Sequence, residues 1–255
     1  MRNIFLTFDL EEWRIPEHNN VMSRLNATTS FSRDGTLKLL KLLRNHNAKA
    51  TFFVTGYFAE REPKLVKKIH DEGHEVASHS YKDVSHYDLS PEEIKRSVER
   101  ADKIIKKIIG KKPYGFRTPQ FSITQPLSRE IIRQGYSYDS STNPAIFPRY
   151  RKITVQNDEM IEIPVSSMPI MKLPISWLWM RNIGLWWTKL GVWLNLKLGR
   201  DAVLYFHPWE FVQLPKIKGV PFYITRGCGE IFTRKLERLM IAFKKHEFRM
   251  MKDLR

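Results

Sequence analysis

Residues 4–12 read Ile4-Phe5-Leu6-Thr7-Phe8-Asp9-Leu10-Glu11-Glu12, a short β-rich run that ends in carboxylates. The run predicts a buried strand, and the acidic residues at its end predict a polar site at that strand's tip. Working outward, further strand-like runs are Ala48–Val54, Glu75–Ala77 (ending at Ser78-His79), Tyr114–Arg117, Ser137–Ser140, Met160–Val165 and Ala202–Phe206. Between them lie helix-like segments. Leu37–His46 has Leu37, Leu40 and Leu43 at helical spacing, and Pro63–Glu72 and Ile231–Lys245 also read as helices. Ser90-Pro91-Glu92-Glu93 supplies the cap residue, first-turn proline and acidic first turn that open a helix running to about Ile109. This alternation predicts an α/β fold with a parallel sheet, open or closed into a barrel. No internal repeat or low-complexity linker interrupts it, so a single domain over residues 1–255 is expected.

Composition narrows the class. The chain has 255 residues, 42% apolar and 12% aromatic, which excludes a disordered or fibrous protein. Its single cysteine, Cys228, excludes a disulfide framework and a cysteine-based zinc centre, so a metal would have to be held by His, Asp and Glu. The net charge of +16 draws the protein towards anionic surfaces without choosing among nucleic acid, lipid and acidic glycan. The basic residues are scattered, no nucleic-acid motif accompanies them, and nucleic acid is not expected as a partner. Lys103, Lys106, Lys107, Lys111 and Lys112 read as a solvated helix face. The opening MRNIFLTFDLEEW has too short an apolar run for a secretory signal, and a cytoplasmic location is expected.

In parallel α/β folds the chemistry sits at the C-terminal ends of the strands. Here those ends carry Asp9 with Glu11 and Glu12, His79 with Asp83 and His86 following, Arg117, Asp139 and His207. Any one of them reads as an ordinary surface or satisfied core residue. Five strand ends bearing such groups read as one cleft, because each buried charge needs a partner.

Read in order, these segments resemble the polysaccharide deacetylase family, also called the NodB-homology or carbohydrate esterase family four domain. Thr7-Phe8-Asp9-Leu10-Glu11-Glu12-Trp13 resembles its first motif in the Asp-x-Glu form. Glu72-Gly73-His74-Glu75-Val76-Ala77-Ser78-His79-Ser80 resembles one of the family's linking strands, Phe116-Arg117-Thr118-Pro119-Gln120-Phe121-Ser122 its third motif and Tyr138-Asp139-Ser140-Ser141 its fourth. Phe206-His207-Pro208-Trp209-Glu210 is similar to the last. The resemblance implies a distorted (β/α) barrel with about seven parallel strands and removal of N-acetyl groups from carbohydrate with one divalent metal ion. By the same resemblance Asp9 is the expected general base, held ionised by Arg117. Glu11 and His79 are expected metal ligands, His207 the general acid, and Asp139 the group that tunes His207.

One departure bears on the metal. The family's second motif places a second His four residues after the first, where this chain has Asp83; His86 follows three residues later. The unshifted Ser90-Pro91-Glu92-Glu93 helix start favours Asp83, with His86 as the alternative. A Glu11/His79/Asp83 set is harder and favours Mn²⁺ or Mg²⁺, whereas Glu11/His79/His86 keeps the His₂-carboxylate character of a hydrolytic zinc site. Zn, Mn, Mg and Co all stay open.

The segment 175–198, ISWLWMRNIGLWWTKLGVWLNLKL, holds five of the seven tryptophans. Arg181, Thr188 and Asn195, seven apart, form a narrow polar stripe on an otherwise apolar helix. Two readings stand: a helix packed on the barrel, or an interfacial helix on an anionic membrane surface, which would suit a lipid-linked sugar and a peripheral place on the inner face of the cell membrane. Deacetylation of an N-acetylated carbohydrate is the leading functional reading. Hydrolysis of a cyclic amide or imide and a catalytically inactive glycan- or membrane-binding protein are the alternatives.

Overall fold

The computed structural model describes residues 2–23, 25–142, 151–155 and 158–254. Strands are β1 (Ile4–Leu10), β2 (Thr51–Val54), β3 (Glu75–Ser78), β4 (Gly115–Phe116), β5 (Tyr138–Asp139), β6 (Arg151–Val155), β7 (Asp158–Glu162), β8 (Ala202–Phe206) and β9 (Phe248–Arg249). They form one sheet in the order β6-β7-β5-β4-β3-β2-β1-β8, with β9 also pairing with β1. Every pairing is parallel except β6 with β7. Seven strands of the main path thus run parallel and curl into a half-barrel; the alternation predicts the parallel sheet, and the family resemblance implies the barrel-like curl. The gap between its ends is bridged where Ser166 N donates to Val203 O and Val203 N donates to Ser166 Oγ, both at 2.8 Å.

The helices are α1 (Ile15–His18), α2 (Ser30–Asn45), α3 (Gly56–Arg61), α4 (Pro63–Asp71), α5 (Pro91–Ile109), α6 (Gln125–Arg133), α7 (Leu178–Asn182), α8 (Leu185–Lys197), α9 (Phe222–Thr225) and α10 (Glu230–Ala242). The start of α5 is a full capping box: Ser90 Oγ accepts from Glu93 N, and Glu93 accepts from Ser90 N. Its end is Gly110 in the left-handed conformation.

The expectation names no α3, α6, β6 or β9, and the strand expected over Met160–Val165 lies at Asp158–Glu162, antiparallel to β6. Two further differences have a clear physical cause. α2 begins seven residues before the expected Leu37. Its first two turns bury Ser32, Gly35 and Thr36, small residues that give no apolar periodicity. They are small because the helix lies on the turn Pro208–Phe211, where a Cβ on Gly35 would stand 1.8 Å from Pro208 O. The Trp-rich segment is two helices, not one, broken at Ile183–Gly184, with Gly184 at φ 128°.

Period two along the strands decides which side chains meet. Ile4, Leu6, Phe8 and Leu10 face the helices in the main core, together with Phe52, Val54, Leu204 and Phe206. Phe5, Phe53, Ala77, Val203 and Tyr205 face the inside of the half-barrel. Extending that inner face to the strand tips brings Asp9, Glu11, His79 and His207 to the same mouth.

Candidate active site

Asp9 and Arg117 form the floor. Arg117 Nη1 donates to Asp9 Oδ1 at 2.7 Å and to Thr7 Oγ1 at 2.8 Å. Nε donates to Ser140 O at 3.0 Å and Nη2 to Ser140 Oγ at 2.9 Å. The guanidinium is fully buried, 4.1 Å above the Phe53 ring. Burial pushes the Asp9 carboxyl upward, but the Arg117 guanidinium, by its charge and its hydrogen bond, leads the effects that outweigh it and hold the group below its ordinary range.

His79 and Glu11 stand over that floor. His79 Nδ1 lies 2.7 Å from Arg117 O, and a carbonyl can only accept, so Nδ1 carries the proton. This leaves the lone pair on Nε2, 3.4 Å from Glu11 Oε2. His207 Nε2 lies 3.7 Å from the other Glu11 oxygen. Burial is the main cause that drives the Glu11 carboxyl well above its ordinary range, followed by the charges of Asp83, Asp9 and Glu12.

The loop after β3 turns sharply at Ser80, which has φ 59°. Its backbone is fixed by Glu12, whose Oε1 accepts from Asp83 N at 3.1 Å and whose Oε2 accepts from Thr55 Oγ1 at 3.0 Å. Asp83 is thereby buried beside Glu11 and His79, and its Oδ2 lies 3.4 Å from His18 Nε2. His86 is held elsewhere: Nδ1 pairs with Thr118 Oγ1 at 2.8 Å and Nε2 with Ser80 Oγ at 3.0 Å. Burial, then the His79 charge, push His86 down to about 4. With both nitrogens engaged by hydroxyls, His86 is a structural pin, and Asp83 is the residue that follows His79 into the mouth.

The expected contact between Asp139 and His207 is not made. Asp139 accepts from Ser141 Oγ at 2.5 Å and lies against Glu162, with burial and the Glu162 charge pushing its carboxyl well up. Its neighbour Tyr138 faces the inside of the half-barrel, so period two turns Asp139 to the other face of β5, where Glu162 is its register partner. The carboxylate on the Nδ1 side of His207 is Glu210: Oε2 accepts from His207 N at 2.8 Å and stands 3.6 Å from the buried Nδ1. Glu210 Oε1 accepts from Arg181 Nε at 2.7 Å, in a fully buried pair. The His207 ring stacks on Trp209 at 5.0 Å and meets the edges of Trp177 at 5.1 Å and Tyr205 at 6.0 Å.

Sequence reading left Glu210, Arg181 and His18 without roles. The i, i+3 spacing of His207 and Glu210 is the signal that points to the first. Arg181 and His18 carry no such signal, since their partners come from 29 and 65 residues away. Non-glycine residues at positive φ also gather around the mouth, at Ser80, Gln120, Phe121 and Trp177.

Among the described residues, no three His, Cys, Asp or Glu side chains close on one point at ligand distance. The fit to a cation is one of chemistry. Glu11 and Asp83 are buried carboxylates that repel each other, and His79 turns an unprotonated nitrogen towards them while its other nitrogen is fixed by a carbonyl. Two hard oxygens and one imidazole suit a divalent ion.

A model of the family described as polysaccharide deacetylase matches residues 2–138, and a model of a domain of unknown function (DUF3473) matches residues 137–255. The two stretches meet inside one sheet, since β8 of the second pairs with β1 of the first. Over 116 residues the chain is 31% identical to the peptidoglycan-N-acetylmuramic acid deacetylase PdaA of Bacillus subtilis, covering 44% of this chain and 43% of that protein. Over 101 residues it is 33% identical to a peptidoglycan-N-acetylglucosamine deacetylase of Bacillus cereus, covering 40% and 37%. The chain thus matches less than half the length of these relatives. A solved structure from Mycobacterium smegmatis, assigned as a polysaccharide deacetylase, superposes with a TM-score of 0.69 over 97% of this chain and 86% of that one, at 19% identity. At that identity the likeness is one of fold.

Proposed function

The chain belongs to the polysaccharide deacetylase family, and from that premise we propose that it is a divalent-metal-dependent hydrolase that removes N-acetyl groups from a carbohydrate. The observation that carries this reading is the shared mouth, with Asp9 paired to Arg117 on one side and His207 on the other, Glu11 standing 3.7 Å from His207 and within reach of the Asp9 charge.

Glu11, His79 and Asp83 are the residues that would hold the ion. Bound there, it supplies an acidified water and a Lewis acid for the acyl oxygen. Asp9 stays ionised at neutral pH because Arg117 occupies its Oδ1, leaving Oδ2 to take up the proton of the attacking water; general-base help of this kind is worth about 10²–10⁴-fold. His207 donates a proton to the departing amine nitrogen. Its backbone N–H is anchored on Glu210, and Trp209 and Trp177 confine its ring. Tyr205 and Trp209 are buried behind the imidazole, and half-buried Trp177 supplies the apolar edge that a sugar face can reach.

The test is acetate release from N-acetylglucosamine oligomers and from peptidoglycan after chelation and after return of Zn²⁺, Mn²⁺, Mg²⁺ or Co²⁺. Metal-dependent release that is abolished in Asp9→Asn is expected. No release with any of these ions on either substrate would overturn the proposal.

A further inference from the structure

Helix α8 is turned opposite to an ordinary surface helix. Its polar stripe faces inward: Thr188 Oγ1 donates to Ile175 O at 2.6 Å, and Asn195 Nδ2 donates to Ser167 O at 2.9 Å. Gly191 lets the helix rest on Ile175, whose side chain would lie 2.4 Å from a Cβ there. The outward face carries Trp186, Leu190 and Trp193 at i, i+4 and i+7, exposed by 60%, 40% and 49%. Lys189 and Lys197 share that stripe, and Lys197 Nζ lies 5.9 Å from the Trp193 ring. At the N-terminal end the apolar surface continues onto exposed Ile183 and onto Phe222 and Tyr223 of α9, which is tied to α7 by Asn182 Nδ2 donating to Tyr223 O at 3.1 Å.

Inward hydrogen bonds hold the polar side of α8 to the barrel, whereas on the other side Trp186 meets only the edge of Trp187 at 5.8 Å among ring contacts and stays, like Trp193, about half exposed or more. Contiguous exposed apolar surface of this kind marks an interaction site. Its composition selects the partner. Tryptophan concentrates at the headgroup level of bilayers, lysine stems reach from that depth to phosphates, and a net charge of +16 adds attraction to an anionic leaflet. The same charge repels a second copy of the chain. No helix of the described residues is long and apolar enough to cross a membrane, so contact of this face with a bilayer is contact at its surface.

We infer that the outer face of α8, with the exposed tip of α9, docks on an anionic bilayer surface, the tryptophans entering the headgroup region and Lys189 and Lys197 pairing with lipid phosphates. The test is co-sedimentation of the full chain with phosphatidylcholine vesicles, with and without phosphatidylglycerol, at low and high salt. Expected is binding to the anionic vesicles that weakens with salt. In Trp186→Ser/Trp193→Ser and in Lys189→Glu/Lys197→Glu, binding should fall by about tenfold or more, with circular dichroism and thermal unfolding unchanged. The inference is overturned if wild type ignores anionic vesicles or if both variants bind like wild type. It is also overturned if wild type is a dimer that the tryptophan variant converts to a monomer without any lipid binding. Vesicle binding is read without substrate, so its outcome is independent of whether acetate is released.

Discussion

Arg181 and Glu210 form a fully buried ion pair at 2.7 Å that joins helix α7 of the Trp-rich segment to the turn carrying His207. Arg181 Nη1 also donates to the carbonyls of Ile224 and Arg226 at 2.7 and 2.8 Å, so one guanidinium ties α7, the α9 region and the His207 turn together. The other Glu210 oxygen receives the His207 backbone N–H. The His207 backbone is therefore held by a carboxylate that Arg181 positions, with the ring Nδ1 3.6 Å from that carboxylate.

Removing one partner of this pair leaves a buried charge uncompensated. Glu210→Ala is expected to cost about 3–5 kcal/mol of stability and to lower kcat. The double variant Arg181→Met/Glu210→Ala should lose less than the sum of the single changes, because the pair is one unit. Chemical denaturation of the four proteins of this cycle measures the coupling, and additive losses would deny it.

Arg117 keeps the Asp9 carboxyl low against the opposing effect of burial. In Arg117→Met the carboxyl should rise, so the base stays protonated to higher pH. The acid limb of the kcat/KM profile should then move to higher pH and activity at neutral pH should fall. An acid limb unmoved in Arg117→Met, in a folded protein, would remove Asp9 from the role of base.

Asp83 and His86 are separable by metal binding. Asp83→Ala should weaken Mn²⁺ or Zn²⁺ binding in calorimetric titration by about 10–100-fold, the loss typical even of a group that only supports a ligand. His86→Gln keeps polar atoms near Thr118 and Ser80 and should leave affinity nearly unchanged. The reverse ranking would make His86 the ligand.

His74 is buried neutral. Its Nδ1 accepts from Ala50 N at 3.3 Å and its ring meets the Phe52 edge. Burial, reinforced by Lys49, lowers it to about 4. Above pH 6.5 it is neutral in both folded and unfolded chains; below that the unfolded chain takes up a proton first. Stability is thus lost as pH falls from 6.5 towards 4, by about 2 kcal/mol at pH 5 for a single such group. Denaturation midpoints of wild type and His74→Asn at pH 7 and pH 5 measure this, and the variant should show the smaller drop.

Much of this protein was legible in one dimension. The strands β1, β2, β3 and β8, the capped helix α5 and the polar strand tips follow from period-two burial and from capping, which are local rules. Because alternate residues of a strand share a face, Asp9 and Glu11 are bound to point the same way once β1 is a strand, and the same holds for Tyr205 and His207. Partners that come from distant segments were decided only by tertiary packing. Asp139 met Glu162 instead of His207, His86 was taken by Ser80 and Thr118, and Glu210 was anchored by Arg181. The start of α2 was hidden for the same reason, since small residues docked on a distant turn leave no apolar rhythm. The polar stripe of the Trp-rich segment could be read from spacing, but whether it faced water or core depended on the carbonyls of Ile175 and Ser167 that packing set beneath it. A chain specifies which face of an element is polar; only the surrounding fold decides what that face meets.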